Sequence, residues 1–467
     1  MVRTSLKTIF REIDYKMFFA IFLTLFIPSI YKVIRIHILG SFPDANNINI
    51  ASQLSWINLI YEVIQEGLIL PLFFLLGKAN LKQNNLTLEQ NSDNKTLSNR
   101  IKTSLITISL TYILIAIIVI IFAKQLVVLM GQNLELIDQT VTYVRLETIS
   151  ALFLTIWRFI VLVFNLFEKD KYIYLILLIQ SGLSITFDVF LVSQLNFSLN
   201  IGVIGIPITN IIVNTIIVVI SLFLINKITF DFFKPQKLTF RWLLSWFKVG
   251  SFSGIESLIR NLVFSLMIIR MINLVAQQGN YWIANSFIWD LLLLPTLALA
   301  DVIKKDVANQ ARIAIKEKTF SYLILISIFV ALWLVFIPVW KPLLKYVYNV
   351  DSYETVFYIV LIQTGFYITF MFNTTIFDST FYGLGKTNYM LFQSLCIDIG
   401  YYGMMFILYT TGVFVPSLLN ISIMFGCGML LDFIPSMILY IYLLKKHKIK
   451  ILFFKREQFI PFVIVNH

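Results

Sequence analysis

The feature that most constrains this chain is the recurrence of long apolar runs from one end to the other. Twelve segments of about 20 or more residues are each long enough, at ~1.5 Å per residue, to cross a ~30 Å hydrocarbon core as a helix. Helices are expected because irregular backbone cannot face lipid. Of the 467 residues, 58% are hydrophobic and only 13% are charged, which excludes a water-soluble globule. The sequence therefore predicts an all-α polytopic membrane protein.

The predicted spans form two groups of six, separated by a polar stretch with Pro235 near its centre. The first group covers residues 17–39, 50–76, 103–129, 139–167, 172–194 and 202–226. The second group covers residues 242–274, 281–303, 319–340, 355–383, 388–411 and 417–444. We expect an N-terminal lobe over residues 1–226, a cytoplasmic linker over 227–241, a C-terminal lobe over 242–446 and a basic amphipathic cytoplasmic tail over 447–467.

The distribution of basic residues predicts the orientation of the chain. If the N-terminus is cytoplasmic, 27 of the 37 Lys and Arg residues fall in cytoplasmic segments, and only Lys124, Lys341 and Lys345 fall in outside loops. We therefore expect a multi-pass protein of the inner (plasma) membrane with both termini in the cytoplasm. The net charge of +12 follows from this topology and from contact with anionic lipid, so no nucleic-acid partner is expected.

The two groups of helices carry weakly similar sequences. IASQLSWINLI, from Ile50, and IANSFIWDLLL, from Ile283, share Ile, Ala and Trp at a constant offset. FNLFEKDKY, ending at Tyr172, and FYGLGKTNY, ending at Tyr389, share Phe, Lys and Tyr. Parallel repeats are related by an axis along the membrane normal and place their sites at the repeat interface. The sequence thus predicts twelve transmembrane helices in two pseudo-symmetric six-helix lobes around a central cleft, which is a transporter architecture.

Several local patterns carry a family resemblance. Residues 254–311 combine an acidic residue early in helix seven, Ala-Asn near the start of helix eight, Pro295 in mid-helix and a terminal Val-x-x-Gln. FYGLGKTNY contains a Gly-x-Gly-x-Thr turn after helix ten, and SITFDVFLV is followed by GVIGIPITN in helices five and six. Together these patterns resemble the multidrug and toxic compound extrusion (MATE) transporters of the multidrug/oligosaccharidyl-lipid/polysaccharide flippase (MOP) superfamily.

This resemblance implies a function. A MATE-type protein is expected to be a secondary active antiporter that exports amphiphilic small molecules by alternating access, as in multidrug resistance. Proton or sodium would be the transported coupling ion, with no other cofactor and no enzyme activity. We expect a monomer in the lipid bilayer that binds a small-molecule substrate.

Charged residues inside the predicted helices are the candidate functional residues. A charge at mid-bilayer costs about 2.5–3.5 kcal/mol on insertion scales, so each is expected to face a partner or a watery cavity. The set comprises Lys32, Arg35, Glu62, Glu66, Glu147, Arg158, Asp188, Glu256, Arg260, Arg270 and Asp290. The two cysteines and three histidines are too scattered to predict a metal site.

Arg35 and Asp188 are expected to meet in the N-terminal lobe. The helical rise places both roughly 8–9 Å inside the outer face. The resemblance implies that the position of Arg35 is an Asp in the family and that this Asp and the acid at Asp188 couple the cation. A protonation switch at Asp188 becomes improbable if Arg35 neutralises it.

The C-terminal lobe keeps a coupling candidate at Glu256. The resemblance implies that some family members carry a cation-coupling Glu at this position. Arg260 follows at i+4 on the same face, so a structural bridge between the two residues is an equal alternative. The resemblance also implies an Asp on helix ten, at the position of Met371 here. The nearest acid is Asp378, two turns further along, and Asp290 is an alternative substitute by geometry.

Glu62 and Glu66 place two carboxylates on one face of helix two, for which Lys32 is a natural partner. One interpretation is a static network of Lys32, Arg35, Glu62 and Asp188 that holds the lobe together. The other is that substrate or a proton breaks this network during transport. Trp157 and Trp289 are candidate cleft-wall aromatics, although core packing is the commoner role of such residues.

A rival function remains open within transport. A flippase for a lipid-linked oligosaccharide, or for another anionic lipid-linked substrate, would use a basic cleft. That reading is favoured by Lys32, Arg35, Arg158, Arg260 and Arg270. The patterns of helices seven and eight favour export instead. An intramembrane enzyme would need an acidic metal motif or a His/Glu cluster, and the sequence contains neither.

Overall fold

The computed structural model describes residues 13–44, 46–72, 75–76, 90–167, 169–229, 232–233, 235 and 237–451. Within these ranges the chain folds into helices and contains no β-strand. Nine helices of the described part are long and apolar enough to cross a membrane, and a pair bent by 54° makes a tenth. The two other predicted spans, residues 50–76 and 242–274, also contain helices. The prediction of an all-α polytopic protein is confirmed.

Six helices, numbered α1 to α6, form the N-terminal lobe. They are α1 (Tyr15–Gly40), α2 (Leu54–Ile64 continued by Gln65–Ile69), α3 (Leu97–Ile121), α4 (Leu134–Leu166), α5 (Lys171–Leu191) and α6 (Gly202–Asn226). Helix α4 lies against α3, α5 and α6. The side chains of Ile160, Phe164 and Ile217 are fully buried between these helices and form the centre of the lobe.

Six further helices form the C-terminal lobe. They are α7 (Leu243–Phe264, Ser265–Ile269 and Arg270–Leu274), α8 (Gln278–Leu292 and Leu294–Gln310), α9 (Arg312–Val347), α10 (Tyr353–Gly383), α11 (Thr387–Thr410) and α12 (Leu418–Lys446). Pro295 lies in the first turn of the second half of α8, where its missing N–H leaves no bond unmade. The bend of α8 therefore falls just before this proline.

Short π-helical turns interrupt six of these helices in the described part of the chain. Such turns are rare and occur frequently at functional sites. Four of them carry an acidic residue: Glu66 in Gln65–Ile69, Asp290 in Ile288–Leu292, Asp378 in Asn373–Asp378 and Asp398 in Cys396–Tyr401. The irregular backbone thus coincides with the charges inside the helices.

The two lobes meet along two seams, with α1 against α8 and α2 against α7. Gly67 of α2 packs so closely on α7 that a Cβ on Gly250 would collide with the Gly67 carbonyl oxygen. Glycine permits this approach because it has no side chain. Nearer the other end of the same helices, Gln53 and Asn273 exchange hydrogen bonds of 3.1 and 3.2 Å. The lobes therefore contact each other at both ends of this seam.

The predicted linker and tail are described only in part. The carbonyl of Lys237 accepts a hydrogen bond of 2.9 Å from Asn99 on α3, so this section of the linker packs on the N-terminal lobe. Residues 452–467 of the predicted tail lie outside the described residues. The boundaries predicted for the lobes, the linker and the tail stay predictions.

Candidate functional site

A cavity of about 510 Å³ lies among α7, α8, α10, α11 and α12, and α2 of the other lobe closes one side. Its lining includes five carboxylates and two cations, a formal charge of −3. They are Glu62, Glu256, Asp378, Asp398 and Asp432 against Arg260 and Lys304. A charged cleft with low-dielectric walls concentrates ions of the opposite sign. The cavity is therefore suited to a cation.

Three of these carboxylates, on α10, α11 and α12, are held by neutral donors. Each accepts one hydrogen bond of 2.7 or 2.8 Å: Asp378 from Gln393, Asp398 from Ser394 and Asp432 from Asn373. Among the described residues, no Lys or Arg forms an ion pair with any of the three. A buried carboxylate is costly without a cation, so these groups favour the entry of one into the cavity.

Arg260 joins glutamates from both lobes. Its guanidinium donates to Glu256 at 3.0 Å within α7, and to Glu62 at 3.1 Å and Glu66 at 2.8 Å on α2. Each pair at i and i+4 shares a helix face, and α2 and α7 turn these faces toward each other. The predicted Glu256–Arg260 bridge is present. One guanidinium faces three carboxylates, so this cluster also keeps an excess of negative charge.

Lys32 does not pair with Glu62 or Glu66, and that prediction is wrong. Its ammonium contacts Asp290 at 2.7 Å, because α1 lies against α8, while Arg260 occupies the charged face of α2. Asp290 therefore has its own partner and does not line the cavity. Asp378, which lies on α10 itself, does line the cavity.

Arg35 and Asp188 form the predicted pair in the N-terminal lobe. Arg35 Nε lies 2.6 Å from Asp188 Oδ2, and Nη2 lies 3.2 Å from Oδ1. Arg35 Nη2 also donates to Asn210 at 2.9 Å, and the Asn210 amide donates to Glu147 at 2.7 Å. Asp188 and Glu147 are 2% and 3% exposed. A two-point charge-assisted contact of this kind is among the stronger hydrogen-bonded arrangements in proteins.

The static network predicted for Lys32, Arg35, Glu62 and Asp188 does not form. Arg35 and Asp188 extend through Asn210 to Glu147, whereas Lys32 and Glu62 have separate partners on the other lobe. Hydropathy places these residues at comparable depths but does not say which way each helix face points. The four residues therefore belong to three separate clusters, which are centred on Lys32–Asp290, Arg35–Asp188 and Glu62–Arg260.

The two candidate wall aromatics have different surroundings. Trp289 lines the cavity, and its indole N–H donates to the Tyr367 hydroxyl at 2.8 Å. Its ring also packs edge-to-face on Phe370. Trp157 is buried in the apolar core of the N-terminal lobe against Phe164, so the prediction that it lines the cleft is wrong. Whether Trp289 contacts a substrate stays a prediction.

Sequence reasoning missed two of the cavity carboxylates, Asp398 and Asp432, and treated Asp378 only as the nearest acid on helix ten. Both could have been found by the signal that selected the other candidates, which is an acidic residue inside a long apolar helix. Asp398 lies in the span predicted at 388–411, and Asp432 lies in the span predicted at 417–444. In the described part of the chain, no three His, Cys, Asp or Glu side chains converge closely enough to hold a metal ion.

Comparison with known proteins identifies the fold. No family model matches the chain, and no curated protein matches it significantly. Solved structures match over nearly the whole length. An outward-facing multidrug resistance transporter of the MATE family has a TM-score of 0.64 at 15% identity, with 92% of this chain and 96% of that chain covered.

Two further structures agree with this match. A MOP superfamily transporter from Pyrococcus furiosus, described as having a binding pocket of reverse polarity, has a TM-score of 0.63 at 17% identity and covers 93% of this chain and 96% of its own. A mutant MATE transporter of Vibrio cholerae has a TM-score of 0.64 at 14% identity and covers 95% of this chain and 99% of its own. The resemblance seen in the sequence is confirmed, and the chain has the twelve-helix fold of the MATE transporters of the MOP superfamily.

Proposed function

We propose that this chain is a secondary active antiporter that exports amphiphilic, positively charged small molecules by alternating access. Inward movement of protons or sodium ions supplies the driving force. The observation that carries this proposal is the acidic cavity of the C-terminal lobe, in which Asp378, Asp398 and Asp432 accept hydrogen bonds from neutral donors and, among the described residues, pair with no cation.

The size and wall of the cavity suit an amphiphilic cation. Its volume of about 510 Å³ falls within the roughly 300–1,000 Å³ typical of small-molecule sites. Trp289, Phe264 and Phe425 supply aromatic faces, and Tyr382 and Tyr402 add further rings. Aromatic faces attract organic cations. A flat or bulky cation therefore gains both apolar contact and electrostatic attraction in this cavity.

The exchange of substrate for coupling ion follows because both bind the same few carboxylates. A proton or a sodium ion that neutralises Glu256 or the three aspartates weakens the field that holds a cationic substrate. Substrate and coupling ion therefore compete for the same carboxylates. Because the lobes contact at both ends of the seam between α2 and α7, opening either end alone would expose the cavity to one side of the membrane.

An anionic lipid-linked substrate is less compatible with this cavity. Among the five cations that favour a flippase, Arg260 alone lines the cavity, and it faces three carboxylates. Arg158 donates to Gln65 at 2.6 Å, and Arg270 donates to the Leu129 carbonyl at 2.8 Å. Lys32 and Arg35 are neutralised by aspartates. The basic cleft that a pyrophosphate group needs is therefore not supported.

The cellular setting of the proposal follows from the charge distribution. With 27 of 37 basic residues assigned to cytoplasmic segments, we place the protein in the inner (plasma) membrane with both termini in the cytoplasm. One chain supplies every residue that lines the acidic cavity, so a monomer is sufficient for the proposed transport. Substrate then enters from the cytoplasm and leaves on the outer side.

The test is transport by purified protein in proteoliposomes, with ethidium and a lipid-linked oligosaccharide as alternative substrates and with imposed pH or sodium gradients. We expect gradient-driven movement of ethidium and none of the oligosaccharide. Glu256→Gln should abolish the gradient-driven part while preserving folding, whereas the exposed Glu135→Gln should behave as wild type. Movement of the oligosaccharide instead would favour a flippase, and unchanged coupling in Glu256→Gln would remove Glu256 from the mechanism.

A further inference from the structure

A second cavity, of about 360 Å³, lies where the start of α9 meets the segment that follows α12. Its lining residues are Arg312, Ile313, Lys316, Glu317, Lys448 and Lys450. Four of the six are cations and one is a carboxylate, so the formal charge of the lining is +3. This cavity is separate from the acidic cavity and has the opposite sign.

The chain brings the four cations together by two regular spacings. Arg312 and Lys316, at i and i+4, share one face of the first turns of α9. Lys448 and Lys450 flank Ile449, which is 8% exposed and packs in the apolar core of the C-terminal lobe. Because Ile449 points inward, both lysines point outward. Arg312 Nη2 donates to the Lys448 carbonyl at 3.0 Å and fixes the two segments side by side.

The resulting concentration of positive charge attracts anions. Like charges at i and i+4 on a helix destabilise it slightly, and Lys448 and Lys450 add two more cations to the same pocket. All four side chains are exposed, so an anion can reach them. A phosphate group, which accepts hydrogen bonds from Arg and Lys, matches this donor set.

The position of the cavity indicates which phosphate it takes. Helix α9 begins and helix α12 ends beside it, so it lies at a membrane surface, which is the cytoplasmic surface in the expected orientation. Anionic lipids in that leaflet attract basic clusters next to membrane-spanning helices. Ile313, which is 59% exposed, lines the same cavity and offers an apolar contact to the glycerol and acyl part of a lipid.

We propose that this cavity is a binding site for the phosphate headgroup of an anionic phospholipid, formed by Arg312, Lys316, Lys448 and Lys450. The site lies outside the transport cavity and does not depend on the function proposed for it. A bound lipid holds the start of α9 and the end of α12 together at the membrane surface.

Native mass spectrometry of the full chain in a non-ionic detergent tests this site, with phosphatidylglycerol, phosphatidylcholine and inorganic phosphate as the added ligands. The variant Lys316→Gln/Lys450→Gln removes two cations but keeps the Arg312 contact to Lys448. The matched control Lys305→Gln/Lys445→Gln removes two exposed cations at the same end of the bundle that do not line the cavity.

We expect wild type and the control to bind phosphatidylglycerol in preference to phosphatidylcholine, with affinities within twofold of each other. The site variant should bind phosphatidylglycerol about thirtyfold more weakly, since each of the two lysines contributes about 1 kcal/mol near an anionic lipid surface. Equally weakened lipid binding in both double variants would mean that net charge, not this cavity, determines the affinity, and would overturn the proposal. Displacement of the lipid by millimolar inorganic phosphate, or no preference for phosphatidylglycerol, would overturn it as well.

Discussion

Asp188 of the N-terminal lobe and three aspartates of the C-terminal lobe have opposite surroundings. In the N-terminal lobe, Asp188 is neutralised by Arg35 through two contacts, and both side chains are buried. In the C-terminal lobe, Asp378, Asp398 and Asp432 face a cavity and have only neutral hydrogen-bond donors. Acids inside a membrane are expected to face a cation or a watery cavity; Asp188 has a cation in Arg35, whereas the three aspartates face a cavity.

This difference bears on where the proposed transporter would bind its coupling ion and its substrate. The resemblance implies an Asp at the position of Arg35, and the guanidinium found there fills the N-terminal site from within. In the antiport that we propose, the acids of the C-terminal lobe are the ones left to take a proton, a sodium ion or a substrate. The proposal thus assigns a structural role to the Arg35–Asp188 pair and a functional role to the three aspartates.

The largest expected effect comes from removing the internal cation of the N-terminal lobe. Arg35→Ala leaves Asp188 buried without a partner, and breaking a buried ion pair in this way costs about 3–5 kcal/mol. We expect a clear fall in the melting temperature in detergent and loss of transport. Arg145→Ala is the control, because Arg145 is exposed and donates to the Ile120 carbonyl, with no ion pair among the described residues.

The double variant Arg35→Leu/Asp188→Leu sharpens this test. Replacing both partners by apolar residues removes the uncompensated charge, so stability should recover most of the loss. Equal tolerance of Arg35→Ala and Arg145→Ala would contradict a structural role for the pair.

The second prediction compares matching substitutions in the two lobes. Asp188→Asn removes the counter-charge of buried Arg35 and should cost about 2–3 kcal/mol, in line with a lost hydrogen-bonded charge. Asp432→Asn leaves no cation stranded, and its amide can still accept the bond from Asn373, so stability should change by about 1 kcal/mol or less. Chemical unfolding of both variants side by side checks this. A greater loss of stability in Asp432→Asn than in Asp188→Asn would contradict a structural role for the Arg35–Asp188 pair.

The smallest expected effect concerns the ion pair between the lobes. The Lys32 and Asp290 side chains are 46% and 21% exposed, so their pair contributes about 1 kcal/mol or less. A double-mutant cycle with Lys32→Gln and Asp290→Asn should give a coupling energy in that range. A coupling energy of several kcal/mol would instead mean that the Lys32–Asp290 pair stabilises the fold as much as the Arg35–Asp188 pair does.

Much of the fold follows from hydropathy and spacing, because a membrane imposes both. Apolar runs of sufficient length gave all twelve helices, and the helical rise from the outer face brought Arg35 and Asp188 together. Both inferences use only distances along a helix axis, and these follow directly from the number of residues between two positions. The Glu256–Arg260 contact was accessible for the same reason, since the i+4 spacing sets it within one helix.

Partners that depend on helix rotation were not accessible in this way. Lys32 has Glu62 at a comparable depth, but its face of α1 is turned toward α8 and Asp290. Trp157 likewise points into the core of its own lobe instead of the cleft. The π-helical turns add to this difficulty, because a wider turn changes the direction of the side chains that follow it. No residue pattern in α8 or α10 predicts these turns.

The central claim is that the C-terminal cavity binds cations through its aspartates. Equilibrium binding of tetraphenylphosphonium to the purified protein tests this directly, for wild type, for Asp378→Asn/Asp432→Asn and for the exposed control Asp138→Asn/Asp351→Asn. We predict at least about tenfold weaker binding, roughly 1.4 kcal/mol, in the cavity variant and a change within twofold in the control. Equal affinity in all three proteins would contradict the account.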